Sequence, residues 1–293
     1  MRRRSVPLVV VVALVLGAGL ATWALERGAA RPLSNGGGSR VVAASLRSRA
    51  LGGTLGMAVY LPPGYSDDRR RYPVIYFLHG LPASPVVYRN VGFLVTTLDS
   101  LSGRAILVAP QGARDGDSDP EYLDWGPGRN WETAIAKEVP AYVDAHFRTI
   151  ASRRGRALVG LSAGGYGAVQ LALHHLSDFS VVESWSGYHH PTNPAGTAPL
   201  DLGSPSANAR ASARALVPVL RRAFRLRPTY FAFYVGKGDT RFRAENEQLH
   251  DELQRAGVPH VFRLYPGGHE QRVWTSHARA WLALALDHLA RAR

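Results

Sequence analysis

A chain of 293 residues that is 46% hydrophobic and 19% charged is globular, and long enough for one large α/β domain rather than two small ones. It has no cysteine, which excludes disulfides, thiolate nucleophiles and cysteine metal sites together. The formal charge of +13 argues less for nucleic acid than it suggests: residues 1–50 hold eight arginines against one acid, Glu26, and no aromatic-interleaved basic stripe accompanies the densest basic run.

The chain opens with "MRRRSVPLVVVVALVLGAGLATWALERG", in which three arginines precede about twenty uncharged residues, Val6 to Leu25. Such a run is just long enough to span a bilayer. Residues 1–25 are therefore expected to be a signal peptide or signal anchor, with the arginines inside and everything that follows exported. Membrane attachment is expected only through this segment. Residues 26–40, ending in "RPLSNGGGSR", have the composition of a flexible linker, and the folded domain is expected over 41–293.

Two strand-like runs, Val41–Arg47 and Leu55–Leu61, are joined by "SRALGG" as a hairpin. Buried strands are expected in "YPVIYFLHG" (Tyr72–Gly80) and "AILVAP" (Ala105–Pro110), and an amphipathic helix from Trp131 to about Phe147. "FSVVESWSG" (Phe179–Gly187), "TYFAFYVGKGD" (Thr229–Asp239) and "HVFRLYPGGH" (His260–His269) predict further strands. Helices are expected near Arg243–Ala256 and Trp274–Ala290. Residues 190–228, rich in Pro, Gly, Ser and Ala, interrupt the alternation and are expected to form a lid or cleft wall. The dense run "RRAFRLR" (Arg221–Arg227) reads as a solvated helix end. Strands alternating with helices predict a mostly parallel, doubly wound sheet with helices on both faces and an N-terminal antiparallel hairpin.

The chemistry-bearing stretch is "RALVGLSAGGYGAVQLAL", Arg156–Leu173. An apolar strand turns straight into an apolar-faced helix, with Ser162 at the junction. Gly160 and Gly164 relieve crowding at that bend, leaving the serine exposed beside the first N–H groups of the helix. This is the nucleophile elbow of an α/β-hydrolase, a fold in which an acid and then a histidine follow the serine in chain order. A serine hydroxyl needs such a base, and the base needs an acid to hold it. Asp239 in "VGKGD" and His269 in "YPGGHE" each come directly after a strand, where ligands gather in open sheets. The plain alternatives are a helix cap for Asp239 and a polar loop residue for His269. Glu270, Glu245, Glu183 and Asp178 are poorer acids by position. His277 reads as solvent-facing, His189 and His190 as a surface loop ahead of lining the cleft, and His79 as orienting its turn. Oxyanion donors are expected from the N–H of Ala163 and of Leu81 in "HGLPAS".

From Val41 onward the chain resembles the esterase D-like family of α/β-hydrolases. That family includes feruloyl and acetyl-xylan esterases, S-formylglutathione hydrolases and secreted trehalose mycolyltransferases. The segments that carry the resemblance are "VYLPPGY", "YFLHG", "NWETAIAKEVPAYVDAHF", "VGLSAGGYGA", "FSVVESWSGY", "GKGDTRF" and "YPGGHEQRVW". It implies Ser162 as nucleophile, Asp239 as acid, His269 as base, and Leu81 and Ala163 as oxyanion donors. "NWET" followed by "KEVP" is particularly similar to the mycolyltransferase branch. The chain departs from that branch at His79-Gly80-Leu81-Pro82, where the branch has an Asp-Gly-Leu-Arg run, and at Asp239, where it has glutamate. These features imply an exported serine esterase working through an acyl-enzyme on a small-molecule, glycolipid or polysaccharide ester, with no metal or cofactor. The alternatives are an acyltransferase acting on a sugar or lipid hydroxyl, and a catalytically silent binding protein of the cell envelope.

Overall fold

The structure, a computed structural model, describes residues 38–81, 84–114, 117, 121–193 and 198–293. The expected signal segment and most of the linker lie outside the described residues. Eight strands form one sheet: β1 (Arg40–Ser48), β2 (Gly53–Leu61), β3 (Val74–Leu78), β4 (Ile106–Pro110), β5 (Arg156–Leu161), β6 (Val181–Trp185), β7 (Tyr230–Gly236) and β8 (Val261–Tyr265). The helices are α1 (Gly92–Ser100), α2 (Trp131–Thr133), α3 (Val139–His146), α4 (Ala163–His174), α5 (Pro205–Arg210), α6 (Ala213–Leu226), α7 (Arg243–Arg255) and α8 (Gln271–Asp287). A π-helical turn, Ala134–Glu138, joins α2 to α3, so the helix expected from Trp131 is continuous but not regular. Sequence reading did not anticipate α1.

The strand order is β1-β2-β4-β3-β5-β6-β7-β8. The predicted hairpin pairs antiparallel from Arg40↔Leu61 to Ser48↔Gly53, and β2 also meets β4 antiparallel. All other pairings are parallel. The hairpin turn is held by Glu138, whose carboxylate accepts from the Ser48 hydroxyl and from the N–H groups of Arg49 and Ala50. From β3 the chain moves outward to β4, then returns to the other side of β3 as β5. The two directions diverge between β3 and β5, and a crevice opens at the C-terminal ends of strands where the order reverses in this way.

Alternation along the strands supplies both halves of the core. Val74, Tyr76 and Leu78 of β3 face one side with α3, α4, α6 and α7, whereas Ile75 and Phe77 face α1 and α8 on the other. Each such side chain contributes roughly 1.5–3 kcal/mol by leaving water. Among the described residues, no helix is long and apolar enough to cross a membrane.

Candidate active site

β5 ends at Leu161 and α4 begins at Ala163, so one residue makes the whole turn. That residue, Ser162, has φ 53° and ψ −121°, a backbone state that L side chains rarely adopt. The turn is this tight because backbones meet where side chains are missing. A Cβ on Gly160 would collide with the Gly164 carbonyl, and one on Gly164 with the Leu78 carbonyl of β3. The elbow does not leave Ser162 exposed as its glycines suggest. The residue is only 7% accessible, because the Gly80 turn and the His269 imidazole close over it.

The other two predicted residues converge on it. His269 follows β8 and Asp239 follows β7, and the glycines between bring these loops together. The Gly238 N–H donates to the Gly267 carbonyl at 2.8 Å, and a Cβ on Gly236 would stand 2.8 Å from the Gly268 carbonyl oxygen. Asp239 is 1% accessible. One of its carboxylate oxygens accepts from the N–H groups of Arg241 and Phe242, both at 3.1 Å. The other lies 2.9 Å from His269 Nδ1. A carboxylate has no proton to give, so Nδ1–H is the donor and Nε2 is left as an acceptor. Nε2 lies 2.9 Å from Ser162 Oγ, the hydroxyl donating. Hydroxyl, imidazole and carboxylate thus form a single hydrogen-bonded line.

Ala163, the first residue of α4, has no intrahelical acceptor for its N–H. Leu81 follows Gly80, on which a Cβ would stand 2.9 Å from Ser162 Cβ, so both predicted oxyanion donors border the serine. His79 braces this turn. Its carbonyl accepts from the Tyr122 hydroxyl at 2.8 Å, its Nδ1 lies 3.0 Å from the Gly80 carbonyl, and burial lowers its pKa.

The family profile described as "Putative esterase" matches residues 48–281. The chain belongs to this esterase family. The esterase Rv1288 of Mycobacterium tuberculosis (strain ATCC 25618 / H37Rv) is 30% identical over 249 residues, 76% of this chain and 54% of that protein. The MPT51/MPB51 antigen of Mycobacterium bovis is 33% identical over 122 residues, 41% of this chain and 38% of the antigen. The chain spans about half the length, or less, of these curated relatives. A solved ferulic acid esterase superposes with a TM-score of 0.71 at 25% identity, over 86% of this chain and 99% of that one. S-formylglutathione hydrolase from Agrobacterium tumefaciens superposes with a TM-score of 0.70 at 21% identity, over 88% and 98%, and supports the fold. The fold is that of the α/β-hydrolases.

The other acids and histidines that the sequence offered in this esterase-family chain have partners elsewhere. Glu245 accepts from the His189 N–H and pairs with His190 at 2.7 Å. Glu270 is exposed beside Arg272, and Asp178 pairs with Lys137. Glu183 is fully buried in β6; burial pushes its carboxyl up to about 8 against the opposing hydrogen bonds of Trp185 and Tyr234. His189 is not on a surface loop. It is fully buried with its ring edge-on to Phe233 at 5.6 Å, because Asn246 ties both its imidazole and the Gly187 carbonyl to α7. His277 is not a solvent-facing helix residue either; it is half-buried and packs on Tyr265 and Trp281. In "NWET", burial raises the pKa of Glu132, yet hydrogen bonds from His174 and His175 outweigh it and hold the carboxyl low. Together with Glu138 under the hairpin, this segment does structural work.

Sequence reasoning missed the two aromatics that bracket the imidazole, Phe242 and Trp274, each with its ring centre 5.2 Å from that of His269. Both lie inside the quoted segments "GKGDTRF" and "YPGGHEQRVW", so their nearness to the acid and base was the available signal.

Proposed function

We propose that this chain is a serine esterase that hydrolyses carboxylic esters through an acyl-enzyme. The observation that carries the reading is the unbroken line Ser162–His269–Asp239, with 2.9 Å at both junctions, ending on a serine forced into an elbow at the sheet's switch point. His269 Nε2 takes the Ser162 proton as Oγ bonds to the ester carbonyl carbon. The oxyanion that forms faces the N–H groups of Ala163 and Leu81. The imidazolium then gives its proton to the departing alkoxide as the ester C–O bond breaks. In the second half His269 takes a proton from water, the hydroxide adds to the acyl carbon, and the proton returns to Ser162 as the acid leaves. Asp239 keeps Nδ1 protonated throughout, so that Nε2 is always the working nitrogen. This chemistry calls for no metal or cofactor.

The names of the ferulic acid esterase and of esterase Rv1288 support an ester substrate, a small molecule or the ester of a glycolipid or polysaccharide. Leu202 and Ala211 share one apolar cluster with Leu81, Ala163 and Phe242, which supports a role for residues 190–228 as a wall of the cleft. The arginine-flanked apolar run supports export, with release or tethering by residues 1–25. Transfer to a sugar hydroxyl has less support, since Glu132 and Glu138 of the mycolyltransferase-like segment are held in ion pairs and turn contacts. A fluorophosphonate probe should label the wild-type chain and leave Ser162→Ala unlabelled, with kcat on p-nitrophenyl esters down by several orders of magnitude. Near-normal turnover by Ser162→Ala would overturn the assignment. A millimolar sugar acceptor that becomes acylated as fast as the ester is hydrolysed would replace hydrolysis with transfer.

A further inference from the structure

The two hydrogen bonds of His269 act at its nitrogens, Nδ1 to Asp239 and Nε2 to Ser162, and the tilt of the ring also depends on what packs against it. Two aromatic walls do so. Phe242 meets the imidazole at an interplanar angle of 69° and Trp274 at 86°, both edge to face. Phe242 is fixed by its own N–H bond to Asp239. Trp274 lies in the first turn of α8, and its indole Nε1–H donates to Ser186 Oγ at 3.0 Å.

Ser186 is unusual in its own right. It follows β6, is fully buried, and has φ 51°, in the left-handed region. Its N–H donates to the Tyr234 carbonyl of β7 at 2.7 Å, so the backbone is anchored on one side and the hydroxyl is spent on the other. A turn that needed only this backbone state would take glycine at no steric cost. A serine there accepts strain and supplies a hydroxyl, as Ser162 does at the end of the neighbouring strand.

We infer that Ser186 and Trp274 form a positioning relay for the base: the strained serine holds the indole, and the indole holds the His269 ring in the plane that joins Ser162 to Asp239. Neither residue touches the reacting atoms, and both act through His269. The inference rests on the serine-esterase reading above. It adds a purpose for two residues that the triad does not require.

The relay predicts that activity and stability separate. In Ser186→Gly the strain relieved and the hydrogen bond lost are of similar size, so Tm should stay within about 3 °C of the wild type. Its kcat should nevertheless fall about tenfold with KM within twofold, inside the hundredfold that an ångström of misplacement can cost. Trp274→Phe keeps a ring but has no N–H and should show the same split. The double variant should be no worse than the poorer single one, because both changes cut one connection. Wild-type kcat in Ser186→Gly, or losses that multiply in the double variant, would overturn the relay. If Ser186→Gly fails to fold, Trp274→Phe carries the test, and wild-type kcat in that variant overturns it equally. Fluorophosphonate labelling of Ser162→Ala in the same assay keeps the two readings apart. Loss of labelling there with wild-type rates in the relay variants removes only the relay; labelling that persists removes the triad beneath it.

Discussion

Asp239 and Glu183 are both buried carboxyls at neighbouring strands of one sheet, at 1% and 0% accessible, and their surroundings could hardly differ more. Asp239 stands past the C-terminal end of β7, where two backbone N–H groups and an imidazole N–H point at it. Glu183 stands inside β6, where one indole N–H and one phenol meet it within an apolar layer of the core. Two donors in an apolar layer do not offset burial at Glu183, and its carboxyl rises to about 8. Burial alone therefore does not distinguish the two carboxyls; the donors around them do.

Exchanging each acid for its amide should separate the two. The largest effect belongs to Asp239→Asn. The side-chain oxygen can still accept from Arg241 and Phe242, so the fold should persist, but the amide holds the wrong imidazole tautomer. A loss of about three to four orders of magnitude in kcat is expected, with the far-ultraviolet circular dichroism unchanged. A loss under tenfold would mean that Asp239 is no more than the cap of the helix that follows.

Glu183→Gln should leave kcat almost untouched and change the response of stability to pH. In the folded chain Glu183 keeps its proton up to about 8, against an ordinary value of 4.5. Between those values the folded state holds a proton that the unfolded state has lost, so this group's contribution is fully present below about 4.5 and is lost as pH rises through about 8. The amide cannot ionise. The drop in Tm from pH 5 to pH 9 should be smaller in Glu183→Gln than in the wild type by several degrees. Equal drops would show that Glu183 is already ionised within the core. Smallest of all, Glu270→Gln should change kcat by less than about twofold, since this exposed side chain meets the Gly268 N–H and Arg272 rather than His269 among the described residues. A loss approaching that of Asp239→Asn would move the acid's role to Glu270.

The reach of the sequence follows the same division. The sheet and the places of Ser162, Asp239 and His269 in it were legible because each residue follows a strand, and a strand end is a local pattern. The π turn after Trp131 was not legible, nor was α1, where Val95, Thr96 and Thr97 blur the helical signal with β-branched side chains. The burial of Ser162 and His189 was hidden for another reason. It depends on what closes over them: Gly80 and His269 in one case, Asn246 on α7 in the other. The bracket of Phe242 and Trp274 was equally hidden, since only the meeting of two loops thirty residues apart brings three rings together.

α4 is apolar and buried around most of its circumference, with Ala163 through Leu173 all shielded from water. Its first residue closes the elbow, and its glycines let it press against the backbones of β3 and β5 and the Ser184 side chain of β6. A helix so enclosed holds its N-terminus against Ser162 through the packing of its whole length. The position of Ser162 is therefore set by the completed core rather than by the turn that bears it. On the serine-esterase reading proposed above, a chain that has paired its strands but not yet seated α4 should be unreactive. Denaturant should accordingly extinguish probe labelling and tertiary structure along a single curve.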